Sequence, residues 1–334
     1  MRPFLYDRAD DLATARQAGT NEAMAFMAGG TTLLDLMKLD VMRPLRVVDI
    51  NGLAPAHGRI EITSTGLYLG ALVRMSDAAD HQAIRRDYPV IAQSLALAAS
   101  AQIRNMATLG GNVLQRTRCN YFRDPTWPAC NKRQPGSGCA ALEGVNRTHA
   151  VLGVSDHCIA TYPGDFAQAL IALDAVVEIA SGEGERRLPF AALHRVPGDT
   201  PEIETILQPG ELITGFYIAA APWLRRSLYL KIRDRQSYEF ALASAAVALD
   251  LEASPEGQRI RQSRIALGGV AAKPWRATAA EAALQGKIMS EDVAMAAGAA
   301  AFAEARPRSE NAFKVELGQR TLARALMQAA EMEV

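Results

Sequence analysis

Apolar residues in this chain come in short runs that glycines interrupt, and the runs alternate between strand and helix character. Residues 24–28, Met-Ala-Phe-Met-Ala, have strand length and stop at Gly29-Gly30. Residues 33–38 follow with the spacing of the first turns of a helix, and Thr31 or Thr32 stands where a cap belongs. A second strand is expected over 46–50, closed by the turn Asn51-Gly52, and a third over 67–71. Alanine and leucine content predicts a long helix over 90–101. The pattern then lapses. From 115 to 150 there is little periodicity and many prolines and glycines, which reads as a long irregular loop. Loops of that length inside a compact domain are uncommon unless they serve a function or are disordered. Periodicity returns with a helix over 166–173, a strand over 175–179 and a hairpin turn at 182–184. Ala-Pro-Trp at 221–223 interrupts a strand and marks a second boundary. Beyond it lie the segment 227–232, an apolar run at 240–249 that suits either strand or helix, a strand at 264–267 and two alanine-rich closing helices.

Composition narrows the class. At 334 residues the chain is large enough for two or three domains. Lys plus Arg and Asp plus Glu number 36 each, so the basic excess of a nucleic-acid binder is missing. The run at 240–249 is too short to span a bilayer, and no membrane span is expected. The first residues lack the apolar core of a secretory signal. The expected location is therefore cytoplasmic, or periplasmic by export alongside a partner that carries a signal.

Two Gly-Gly sites stand next to threonines. In Ala28-Gly29-Gly30-Thr31-Thr32-Leu33 the glycines would let backbone N–H groups approach an anion such as a pyrophosphate. Neither the Rossmann nor the P-loop pattern is present, and an ordinary strand-to-helix turn is the plain alternative. Thr108-Leu109-Gly110-Gly111-Asn112 is the second site. The pair could grip two parts of one extended cofactor, or be unrelated turns.

The four cysteines, Cys119, Cys130, Cys139 and Cys158, all fall in one segment, separated by ten, eight and eighteen residues. None forms a C-x-x-C pair. Spacing alone leaves an iron–sulfur cluster, zinc, disulfides and free thiols open. Arg116, Arg118, Arg123, Lys132, Arg133 and Arg147 face only Asp124 and Glu143 between 115 and 150. That excess suits an anionic cluster, a solvated loop or a docking face. His149 and His157 lie near the cysteines; either could serve as a ligand, but both read as ordinary polar residues.

Ala28-Gly29-Gly30-Thr31, Ala107-Thr108-Leu109-Gly110-Gly111-Asn112 and Ala160-Thr161-Tyr162-Pro163-Gly164-Asp165, in that order, resemble the FAD subunits of the xanthine oxidase (molybdenum hydroxylase) family. Lys231-Ile232-Arg233-Asp234-Arg235 and Ala266-Leu267-Gly268-Gly269-Val270 are similar too. The segments around Cys119, Cys130 and Cys139 look like the FAD subunits of bacterial periplasmic aldehyde oxidoreductases within that family. The resemblance implies an α+β fold: a two-subdomain FAD-binding unit of the vanillyl-alcohol-oxidase (PCMH) type over 1–222, with an iron–sulfur loop at about 115–158, then a smaller α+β domain over 223–334 of the CO-dehydrogenase-flavoprotein type.

By the same likeness Phe26, Met27, Ala28, Gly29, Gly30, Thr31, Thr32, Leu33 and Leu34 hold the FAD pyrophosphate, and Thr108, Gly111 and Asn112 form the second flavin loop. Asp165 would bind the ribityl or ring region, Lys231 would lie near the isoalloxazine and Leu212 would pack by the ring. The plain alternative for Asp165 and Lys231 is a surface ion pair. Relatives commonly read Thr-His-Pro-Ser-Asp where this chain has Thr161-Tyr162-Pro163-Gly164-Asp165, so a serine hydroxyl is missing at 164. Cys119, Cys130, Cys139 and Cys158 would ligate a [4Fe–4S] cluster. The implied function is electron transfer in a heterotrimer. A large molybdenum-cofactor subunit oxidises an aldehyde to a carboxylate, a small subunit with two [2Fe–2S] clusters passes electrons on, and FAD here delivers them to an external acceptor. No residue of this chain is expected to be catalytic toward the aldehyde. The rival readings are a self-sufficient flavin oxidase of the same fold and an interaction module with structural zinc.

Overall fold

The structure is a computed structural model that describes residues 1–19 and 23–334. Its described residues form three sheets, in chain order. Strands β1 (Leu5–Arg8), β2 (Met24–Met27) and β3 (Arg46–Asp49) make a small parallel sheet in the order β1-β3-β2. Helix Leu33–Lys38 makes the crossover from β2 to β3, and Val47 and Val48 are fully buried between the neighbours. Thr32 is the N-cap residue, but its side chain makes no capping hydrogen bond.

The second sheet is antiparallel. It contains β4 (Ile60–Thr63), β5 (Gly66–Gly70), β6 (Val176–Ser181), β7 (Gly184–Pro189) and β8 (Leu212–Ala219), in the order β4-β5-β8-β6-β7. The β6–β7 hairpin pairs Ser181 with Gly184 and turns where the sequence places it. Helices Pro89–Ala96 and Phe166–Ala172 share a core with this sheet, which buries Leu67, Leu69, Ile91, Leu95, Phe166, Leu170 and Phe216. The helix expected over 90–101 ends early. Ala99 adopts a positive φ of 48°, and Ser100 caps a separate turn, Ala101–Arg104, by accepting from the Ile103 N–H.

Strands β9 (Ser227–Ile232), β10 (Ala243–Ser254), β11 (Gly257–Gly268) and β12 (Trp275–Arg276) form the third sheet, order β12-β11-β10-β9. Three helices follow its long strands, not the two expected: Thr278–Leu284, Glu291–Ala301 and Phe313–Ala330. Helix Phe313–Ala330 packs on β9 and β10, while Pro89–Ala96 and Phe166–Ala172 also reach this sheet. The first seven residues of β10 are all buried. A strand covered on both faces shows no alternation, which is why the run at 240–249 suits two secondary structures.

Candidate flavin cleft and cysteine cage

The two Gly-Gly sites meet. A Cβ on Gly29 would lie 2.0 Å from the Met106 carbonyl oxygen, so only glycine lets the first loop touch the segment that enters the second. Gly30 takes φ +69°, a left-handed conformation that other residues adopt at a cost. A staple holds the junction: Asn51 Nδ2 donates to the Ala28 carbonyl at 3.0 Å, and the Arg74 guanidinium donates to Asn51 Oδ1 at 3.2 Å and to the Met106 carbonyl. The second loop is one helical turn, Leu109–Val113, whose N-cap Thr108 accepts from the Gly111 N–H at 3.2 Å.

Between the loops opens a cleft of about 650 Å³, within the range of small-molecule and cofactor pockets. Phe26, Met27, Ala28, Gly29, Gly30, Thr31, Thr32 and Leu33 line one side, with Thr108 and Gly111 opposite. Leu212 and Ile213, at the start of β8, also border it, together with Ala71 and Leu72. Leu34 and Asn112 do not border it. Asn112 Nδ2 contacts the Met75 sulfur at 3.4 Å, and its Oδ1 is buried without a partner. Among the described residues, the N–H groups of Gly29, Gly30, Thr31 and Thr32 donate to no protein acceptor. Successive free N–H groups at a turn form a concavity suited to an anion, so the residues present fit a pyrophosphate-bearing cofactor.

Asp165 and Lys231 are brought to each other, not to the cleft wall. Lys231 Nζ, on β9, lies 2.8 Å from Asp165 Oδ2 and also donates to the Leu97 carbonyl at 3.1 Å. The Tyr229 hydroxyl donates to Asp165 Oδ1 at 2.5 Å. Both charged side chains are at most 5% exposed, so the surface-pair alternative is excluded. Burial raises the Asp165 carboxyl above the usual carboxylate range against the pull of Lys231.

All four cysteines border one small enclosed cavity, walled by Tyr121, Phe122, Ala129, Ala141 and Ala160. Cys130 and Cys139 face each other across an isolated antiparallel bridge, and Cys119 precedes the turn Asn120–Arg123. The thiols are free, so the disulfide alternative is not realised. Among the described residues no three His, Cys, Asp or Glu are grouped closely enough to hold one metal ion. Burial pushes the Cys119 thiol up to about 12, with Cys158 and Cys130 adding to it. It pushes Cys158 to about 11, against Lys132. Neutral thiols must release protons to bind any metal.

His149 is closer to this chemistry than the sequence suggested. Its Nε2 lies 3.2 Å from Cys119 Sγ, and burial lowers its imidazole to about 4. His157 borders the cavity, and its Nε2 lies 3.3 Å from Asp199 Oδ1 at the surface. The basic residues of the segment are mostly tethers. Arg118 and Arg123 both reach Asp35, Arg133 donates to the Tyr121 and Phe122 carbonyls, and Arg147 pairs with Asp234. Glu204 went unnoticed in the sequence, where nothing distinguishes it. In the fold it takes Arg116 and Lys132 together.

The class is that of an FAD-binding dehydrogenase subunit, which the match of residues 2–220 to such a domain shows. The chain belongs to the family of molybdopterin dehydrogenase FAD-binding proteins: residues 2–220 match the FAD binding domain in molybdopterin dehydrogenase, and residues 228–329 match the CO dehydrogenase flavoprotein C-terminal domain. It is 49% identical over 98% of its length to the aldehyde oxidoreductase FAD-binding subunit PaoB of Escherichia coli strain K12, covering 99% of that protein. It is 25% identical to the glyceraldehyde dehydrogenase medium chain of Sulfolobus acidocaldarius, covering 92% of this chain and 90% of that one. The fold matches carbon monoxide dehydrogenase from Hydrogenophaga pseudoflava with a TM-score of 0.75 at 23% identity, over 98% of this chain and 97% of the other. No helix among the described residues is long and apolar enough to cross a membrane.

Proposed function

We propose that this chain is the FAD and [4Fe–4S] subunit of a molybdenum-dependent aldehyde oxidoreductase, assembled with a large molybdenum subunit and a small [2Fe–2S] subunit. The observation that carries the reading is the pairing of an anion-binding cleft with four thiols around one cavity, in a chain 49% identical to an aldehyde oxidoreductase FAD-binding subunit. In this reading residues 1–222 and 223–334 are its two domains. FAD, when bound, collects single electrons and releases them in pairs to an acceptor.

The chain's own residues position that cofactor. Free N–H groups from Gly29 to Thr32 take the pyrophosphate, Thr108 and Gly111 close the opposite side, and Leu212 offers an apolar contact to the ring. Leu34 and Asn112 support the two loops without bordering the cleft. Asp165 and Lys231 act from further back, since helix Phe166–Ala172 packs directly on the turn Leu109–Val113. Cys119, Cys130, Cys139 and Cys158 would ligate the cluster. Their cavity is lined mostly by apolar side chains, with Asn131, Lys132 and His157 alongside, a surround that would limit solvent access to the cluster.

Iron and flavin analysis of the purified complex tests this. Cys119→Ser and Cys139→Ser are each expected to lose about four irons per complex, the content of one cubane, with FAD retained. Unchanged iron in both variants removes the cluster from this chain. Aldehyde turnover by this chain without its partners would favour the self-sufficient oxidase.

A further inference from the structure

One charged link joins the cleft to the cysteine cage. Arg116 borders the cleft, and its guanidinium lies over the Phe122 ring, 4.6 Å from the centroid. Phe122 is itself a wall of the cage. Arg116 Nε donates to Glu204 Oε2 at 2.9 Å, and Lys132 Nζ lies 2.7 Å from Glu204 Oε1. Lys132 borders the cage. The three side chains therefore run from one redox site to the other with a single carboxylate in the middle.

Burial by itself would raise the Glu204 carboxyl, but Arg116 and Lys132 outweigh it and hold it below its ordinary range. The link is charged throughout: two cations, one anion. A redox group that gains an electron is stabilised by positive charge nearby, and a carboxylate beside that charge weakens the effect. The anion here acts on both cations at once.

We propose that Glu204 is a positioning residue that sets the reduction potentials of the flavin and the four-cysteine cluster jointly, by holding Arg116 toward the one and Lys132 toward the other. The proposal rests on the reading that this cage carries a cluster. A plain structural role, pinning residues 116–132 to the turn around Pro201, would hold the segment in place without moving either potential. Lys132 Nζ does donate to the Pro201 carbonyl at 2.7 Å, so the two roles must be separated by measurement.

The test is a redox titration of the purified complex, following the flavin by absorption and the cluster by electron paramagnetic resonance. Glu204→Gln keeps shape and removes the anion. It is expected to raise both midpoints, changing each reduced-to-oxidised ratio on the order of tenfold, as for a unit charge about 10 Å away at an effective permittivity of about 20. Arg116→Gln should lower the flavin midpoint more than the cluster's, and Lys132→Gln the reverse. Unmoved midpoints in Glu204→Gln with both cofactors retained overturn the proposal. If that variant loses its cofactors, equal shifts or none in the two cation variants overturn it instead. A wild-type complex with no such cluster overturns the underlying reading as well, whereas an intact cluster with unmoved potentials overturns this inference alone.

Discussion

A Cβ placed on Gly164 would lie 2.6 Å from the Tyr162 hydroxyl oxygen and within 2.8 Å of two of its ring carbons. Tyr162 is buried, and its hydroxyl donates to the Val113 carbonyl at 3.0 Å, tying the Thr-Tyr-Pro-Gly-Asp stretch to the second glycine turn. The missing serine at 164 is thus the steric counterpart of the larger side chain at 162. Gly164→Ser alone should cost about 1–3 kcal/mol by overpacking. Pairing it with Tyr162→His should recover part of that loss. Chemical denaturation of the single and double variants checks the coupling, and strictly additive losses would show the two positions to be independent. The sequence displayed both departures from the family pattern. It did not display their contact, because two residues apart on an irregular stretch carry no period from which a shared face can be inferred.

The cysteine segment illustrates how an element without secondary structure is held. It has one short helix and two isolated bridges, Cys130 with Cys139 and Leu152 with Ala271, yet its cations are bound at fixed points. Asp35, on the helix that follows the first glycine loop, receives Arg118 at 3.0 Å and Arg123 at 3.1 Å. Burial opposes its ionisation, but Arg123 and Arg118 prevail and keep the carboxyl below its usual range. One carboxylate therefore anchors the cage to the flavin loop. Asp35→Asn should free the segment, seen as faster tryptic cleavage after Arg118 and Arg123 while the rest of the chain stays resistant. An unchanged digestion rate would show that the backbone turns alone suffice. The sequence exposed the basic excess and offered three explanations for it. Partners 83 and 88 positions away lie outside any local pattern.

At the scale of the whole molecule, the third sheet is joined to the flavin unit by polar contacts inside an apolar interface. Gln93 Oε1 accepts from the Tyr229 N–H at 2.8 Å, and Lys231 pairs with Asp165 across the same boundary. Removing one partner of a buried pair leaves an unpaired charge, at a cost of about 3–5 kcal/mol. Lys231→Met should therefore lower the melting temperature sharply, while Asp165→Leu with Lys231→Met should restore much of it. Scanning calorimetry of the three proteins decides the point. Equal stability of the single and double variants would mean that the charge itself contributes little.

By itself the sequence determined the local elements, the two glycine loops, the clustered thiols and, through motif resemblance, the family. Those features lie within a few residues of one another or recur as contiguous words. The tertiary structure decided what meets what. It brought Gly29 against Met106, gathered the thiols of Cys119 to Cys158 round one cavity and buried the Asp165–Lys231 pair behind the cleft instead of in it. It also split the helix expected over 90–101 at Ala99 and added a third closing helix. Contacts between distant positions depend on how the sheets pack, and burial sets which charges must pair. Neither is encoded in the spacing of neighbouring residues.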